Sequence, residues 1–130
     1  MDDDLLATRS SNITAAVSVV AGFCVWAGLS LIGGVREAWD APAYWLVGLP
    51  ILAAVSGIAG YFVPVRVWRW PVFIGLGQIL GMIVLNPGPG WGLLPLMLAF
   101  VMVPLIIILT IPALIGGSIA RKGWDRALLA

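Results

Sequence analysis

Apolar residues run through this chain in four long stretches, 13–35, 44–63, 71–86 and 93–120, and all the charged residues lie outside them. At about 1.5 Å per helical residue, the first stretch covers the roughly 30 Å hydrocarbon core of a bilayer. The second carries Pro50 near its second turn, so a kink or an irregular start is expected there. The third is short. Its Pro71 suits a first helical turn, but a helix of about 16 residues reaches only about 24 Å. Spanning then needs flanking residues, a thinned bilayer or partner helices. The fourth is long and contains Pro95, Pro104 and Pro112, with no charge and no turn pair before Gly116-Gly117. One bent helix is expected there, because membrane helices tolerate proline where neighbours satisfy the freed carbonyls.

Three short connections join these stretches: residues 36–42, 64–70 and 87–92. In the last, "NPGPGWG", Asn86 is expected to close the third helix and the Pro-Gly pairs to turn the chain. Short joins make antiparallel neighbours. The fold class expected is therefore an all-α integral membrane protein, with four transmembrane helices in a compact antiparallel bundle. Residues 1–12 and 121–130 form terminal segments outside it.

Composition agrees with the pattern. Of 130 residues, 62% are hydrophobic and only 10% charged, too few charges for the surface of a soluble domain. The acidic start, MDDDLLATRS, lacks the positive leading region of a secretory signal. Charge also sets the expected orientation. With four spans, the termini and the 64–70 connection share one side, which carries Arg9, Arg66, Arg69, Arg121, Lys122 and Arg126. The other side has only Arg36. Basic residues in short loops stay in the cytoplasm, so both termini are expected there, most simply in a bacterial cytoplasmic (inner) membrane.

Tryptophan reinforces the span ends. Trp39, Trp45, Trp68, Trp70, Trp91 and Trp124 fall at or beside them, where an indole can be half wet. Arg66, Trp68, Arg69, Trp70, Trp91, Arg121, Lys122 and Trp124 are accordingly expected as interfacial anchors. Trp26 alone lies inside a span and reads as a packing residue. The segment "VPVRVWRWP" has the composition of a basic-aromatic binding patch. Two arginines between two spans are too few for nucleic acid, however, and no nucleic-acid partner is expected.

The two halves are faintly alike. "WLVGLPILA" (45–53) and "WGLLPLMLA" (91–99) open the second and fourth stretches, and "VRVW" and "ARKGW" follow them. Such features also arise in unrelated membrane helices, which is the reading adopted. A true duplication would predict two-fold symmetry about an axis along the membrane normal.

Candidate chemistry is sparse. No Asp, Glu, Lys, Arg or His lies in the four stretches, and the chain has no histidine at all. Proton relays, ion pathways, haem and di-iron sites need such groups. No cofactor, metal site or catalytic residue is expected, and the chain is read as not an enzyme. Cys24, the single cysteine, excludes an internal disulfide. Gln78 is the most costly polar residue in the spans and should face another helix. Small-xxx-small spacings occur at Ser18/Gly22, Ser30/Gly34, Ala53/Gly57, Ser56/Gly60 and Gly77/Gly81. Gly75, Gly77, Gln78 and Gly81 make the third helix the expected packing or partner-facing element. The function expected is an accessory or structural subunit whose partners are membrane lipids and another integral membrane protein, or itself as an oligomer. The alternative is a small oligomeric transporter or channel-like protein for a neutral or lipophilic solute.

Overall fold

A computed structural model describes residues 1–88, 96 and 98–130. It is all-helical, with no strand among the described residues. Its helices are α1 (Asp2–Gly33), α2 (Leu49–Phe62), α3 (Arg69–Leu85) and α4 (Val103–Leu129). With the turns that lead into α2 and α4 included, Asp2–Gly33, Tyr44–Phe62 and Leu98–Leu129 are each long and apolar enough to cross a membrane. Arg69–Leu85 is the short one. The re-entry expected at Trp91 and Pro95 lies outside the described residues, as does the 87–92 turn beyond Gly88.

Two helices outrun their apolar stretches. α1 begins at Asp2 rather than at 13, since no glycine or proline interrupts residues 2–12. Asp2, Asp3 and Asp4 in its first turn also complement the positive end of the helix dipole. α4 continues past Ala120 to Leu129 for a similar reason: only Gly123 weakens an otherwise helix-favouring tail. At its other end α1 stops at Gly34, whose left-handed backbone (φ 61°) closes the last turn through a hydrogen bond to the Ser30 carbonyl.

The entries to α2 and α4 share one device. Each begins with a π-helical turn, Tyr44–Gly48 and Leu98–Met102, and each has proline at the second position of the helix proper, Pro50 and Pro104. Proline cannot donate to the carbonyl four residues back, and its ring presses on that carbonyl. A widened turn makes room.

Packing is interlaced. α1 lies chiefly against α3, and α2 against α4, while consecutive helices meet less closely. Contacts advance together along each pair. Gly77 faces Val19 and Gly81 faces Trp26, just as Ser56 meets Leu109 and Gly60 meets Ala113, so both pairs are parallel. Each crossing is built from glycines set over carbonyls. A Cβ added at Gly22 would run into the Ile74 carbonyl oxygen, and one at Gly77 into that of Val19. A Cβ at Gly60 would likewise strike the Ala113 oxygen, and one at Gly116 the Gly57 oxygen. In all four cases the carbonyl belongs to the residue three before the partner glycine. This reciprocity suits paired Cα–H···O contacts, worth about 0.5–1 kcal/mol each. Burial follows in four-residue steps, at Ser18, Gly22, Trp26 and Ser30 on α1 and at Leu52, Ser56 and Gly60 on α2. Such rows interlock when small residues let backbones close in.

The crossings also set a register between the halves. Gly22 and Gly77 are 55 residues apart and Gly60 and Gly116 are 56 apart. The two π-helical turns begin 54 residues apart, at Tyr44 and Leu98. "VRVW" and "ARKGW" fit this register, with Trp68 and Trp124 also 56 apart. The similarity of 45–53 to 91–99 does not, being offset by 46. The structural counterpart of Pro50 is Pro104.

Candidate functional site

The densest polar feature lies where α1, α3 and the entry to α2 meet. Gln78, Tyr44 and Trp26 are all fully buried. The four-residue rows of α1 and α3 bring Trp26 and Gln78 to one seam, with Gly22 and Gly81 opening the space between the helices. The connection after α1 then folds Tyr44 onto them. Its hydroxyl donates to Gln78 Oε1 at 2.9 Å. Trp26 packs edge-on against Trp39 (centroids 4.6 Å apart) and Tyr44 (6.3 Å), and Tyr44 against Trp45 (5.3 Å). Edge-to-face contacts of this kind each add about 0.5–1.5 kcal/mol beyond area burial.

Satisfaction is incomplete. Gln78 Nε2 and Trp26 Nε1 are buried with no hydrogen-bond partner among the described residues. Glu37 Oε2, in the connection above, is buried without a partner as well. Burial first, then the nearby Asp40 carboxylate, raise the Glu37 pKa above its ordinary 4.5, with Arg36 pulling the other way. The arrangement can orient one amide and offer two N–H donors at mid-depth. It holds no nucleophile or general base. No group of three or more metal-ligating side chains exists among the described residues.

The other expected residues are placed as follows. Gly77 and Gly81 face α1, against the Val19 carbonyl and the Trp26 side chain, while Gly75 faces Ile106 of α4. The glycine face of α3 is thus filled from within the chain. Trp70 is fully buried, and its indole N–H donates to the Val63 carbonyl at 3.1 Å, so it packs inside rather than anchoring at an interface. Trp68 and Trp124 are exposed. Arg69 lies over the Trp70 and Phe73 rings, 5.6 and 5.9 Å from their centroids. Arg121 donates to the Pro64 carbonyl at 3.1 Å, tying α4 to the end of α2. Lys122 is exposed, and Arg66 has a left-handed backbone at φ 52°. Trp91 lies outside the described residues.

Three contributors escaped sequence reasoning. Tyr44 opens the second stretch, where a phenol ring would ordinarily be half wet, yet it is Gln78's partner. Gly116 reads as half of a turn pair, although Gly116-xxx-Ala120 offers the same small spacing noted elsewhere. Glu37 had no signal beyond being acidic. Of the small pairs that were noted, Ser30/Gly34 caps a helix instead of packing it: Gly34 has open space around it, and the Ser30 hydroxyl donates to the Val35 carbonyl.

No protein-family model matches this chain, and no curated protein or solved structure is similar to it. The reading of function therefore rests on the site and surface themselves.

Proposed function

We propose that the chain is a small multi-pass protein of a bacterial cytoplasmic membrane, a four-helix bundle of alternating up and down helices whose closest pairs are parallel, with both termini cytoplasmic. It acts as an accessory or structural subunit that packs against another integral membrane protein. The observation that carries this is how polar groups are used along the spans. Ser18 and Thr110 bond their own helices, Ser56 bonds the Leu109 carbonyl across the α2–α4 crossing, and Tyr44 bonds Gln78. What faces outward is apolar, aliphatic along α4 at Ile107, Ile111 and Leu114 and aromatic at Phe62 and Phe100. Such a surface offers packing and no chemistry. The six-to-one basic bias supports the orientation.

The test is purification from native membranes in mild detergent after cross-linking. The expected result is a larger membrane protein held in fixed proportion and lost on Ile111→Trp. A monomer with no cross-linked partner would contradict it. Gly77 is unsuitable for this test, because its substitution strikes the α1 backbone.

A second reading is an oligomeric transporter for a neutral or lipophilic solute. It is favoured by one observation, the two unpartnered donors on Trp26 and Gln78. Solute flux in liposomes that falls on Gln78→Met would support it over the first.

A further inference from the structure

Pairing α1 with α3 and α2 with α4 leaves the seam between α1 and α2 open toward the terminal end of the helices. A groove of about 570 Å³ runs along it. Its walls are apolar, formed by Val17 on α1 and by Val55, Ile58 and Phe62 on α2. The hydroxyls of Thr14 and Ser18 lie on these walls but donate to the Ser10 and Thr14 carbonyls, so the groove makes no polar demand at hydrocarbon depth. At the mouth the chemistry changes. Arg9 lines it, exposed, four residues before the apolar stretch begins at Ile13. On a helix that is about 6 Å outside the hydrocarbon edge, the depth of lipid phosphate. The nearest acidic residue on α1, Asp4, is about 7.5 Å farther out. The groove between α2 and α4, about 430 Å³, is apolar too but has no cation in its lining.

We propose that the α1–α2 groove binds an anionic glycerophospholipid of the leaflet on the terminal side. One acyl chain lies along Val17, Val55 and Ile58, and the phosphate meets Arg9. The occupant follows from two features together: a furrow open to hydrocarbon, and a single cation at the depth where an anionic headgroup sits. The inference rests on the membrane-spanning reading but needs no protein partner and no assigned cytoplasmic side.

The test uses the intact protein in nanodiscs of equal parts phosphatidylglycerol and phosphatidylcholine, with a trace of either lipid spin-labelled. Electron paramagnetic resonance then reads the motionally restricted fraction. Phosphatidylglycerol should be favoured by about fivefold, one basic residue's attraction to an anionic headgroup. Arg9→Gln should bring that preference close to unity. Val17→Trp, which fills the groove from an exposed position, should remove restricted lipid of both kinds. A preference unchanged in both variants would overturn the proposal, leaving only diffuse attraction to Arg66, Arg69 and Lys122. Failure to enter nanodiscs at all would instead count against the membrane-spanning reading.

Discussion

The α1–α3 and α2–α4 crossings solve one problem twice, with different surroundings. In each, two glycines sit over each other's carbonyls, so two backbones approach closely, as helices that pack without a hydrophobic drive must. Around Gly22 and Gly77 the chain adds an aromatic group and an amide pair: Trp26, Tyr44 and Gln78. Around Gly60 and Gly116 it adds Ser56, whose hydroxyl meets the Leu109 carbonyl at 2.7 Å. That carbonyl is next to the one on Ile108, which Pro112 leaves without its helical donor. The common geometry is steric, and what differs is how much buried polarity each crossing carries.

The largest effects should come from breaking the steric part. Gly77→Ala and Gly116→Ala each push a methyl into a backbone carbonyl that cannot move aside as a side chain can. Each should cost about 1–3 kcal/mol, the range for overpacking, read from unfolding in mixed micelles. Gly28→Ala, with open space around it, should instead stabilise α1 by about 0.5–1 kcal/mol. Equal losses at positions 28 and 77 would mean that helix propensity, not the crossing, governs stability.

Next come the polar groups. Tyr44→Phe leaves the Gln78 amide wholly unpartnered in a dry interior and should cost about 1–3 kcal/mol. Gln78→Met added to it should recover most of that loss, since removing both partners is nearly neutral. At the other crossing, Ser56→Ala removes a single interhelical bond and should cost only about 0.6 kcal/mol. A larger cost for Ser56→Ala than for Tyr44→Phe would reverse the contrast drawn between the two crossings.

A smaller effect belongs to the connection above the aromatic group. Glu37 has a raised pKa in the folded protein, so the folded state holds its proton more tightly than the unfolded state. Stability from this source is fully present below the unfolded value and is lost as pH rises through the raised folded one. Unfolding measured across mildly acidic pH should therefore show stability falling as pH rises, and Glu37→Gln should flatten the trend. The smallest effect is expected at Arg66. Its left-handed backbone costs about 1 kcal/mol, so Arg66→Gly should be neutral to mildly stabilising, unless lost packing offsets the relief.

Much of this was legible from residue order. The first three apolar stretches, Pro71 in an opening turn, Asn86 at the close of α3 and the small pairs 18/22, 56/60 and 77/81 lie where helical spacing puts them. Gln78's need for a partner was legible too, but not the partner's identity. Tyr44 is 34 residues away and comes to Gln78 only because the connection folds back through a π-helical turn. The choice of partner helix was equally hidden. Short connections suggest neighbours in sequence, whereas glycine rows can mate with any row of matching pitch, and the parallel pairs win. The likeness of "WLVGLP" to "WGLLP" is one of letters, offset by 46, whereas the Gly22/Gly77 and Gly60/Gly116 positions recur at 55 and 56. The structural match runs through glycines and a proline whose flanking residues differ.

The interlaced pairing is most directly tested by a designed disulfide. A Cβ at Gly57 would lie 3.7 Å from that of Pro112, within the roughly 3.5–4.5 Å of a relaxed disulfide. In a Cys24→Ser background, Gly57→Cys with Pro112→Cys should oxidise within one chain. After proteolysis between α3 and α4, the fragments should stay joined until reduced. The control pairing Pro112→Cys with Ile51→Cys, which lies on the α1 side of α2 and more than a turn away, should link poorly. Efficient linkage of the control together with none between 57 and 112 would contradict the parallel α2–α4 crossing.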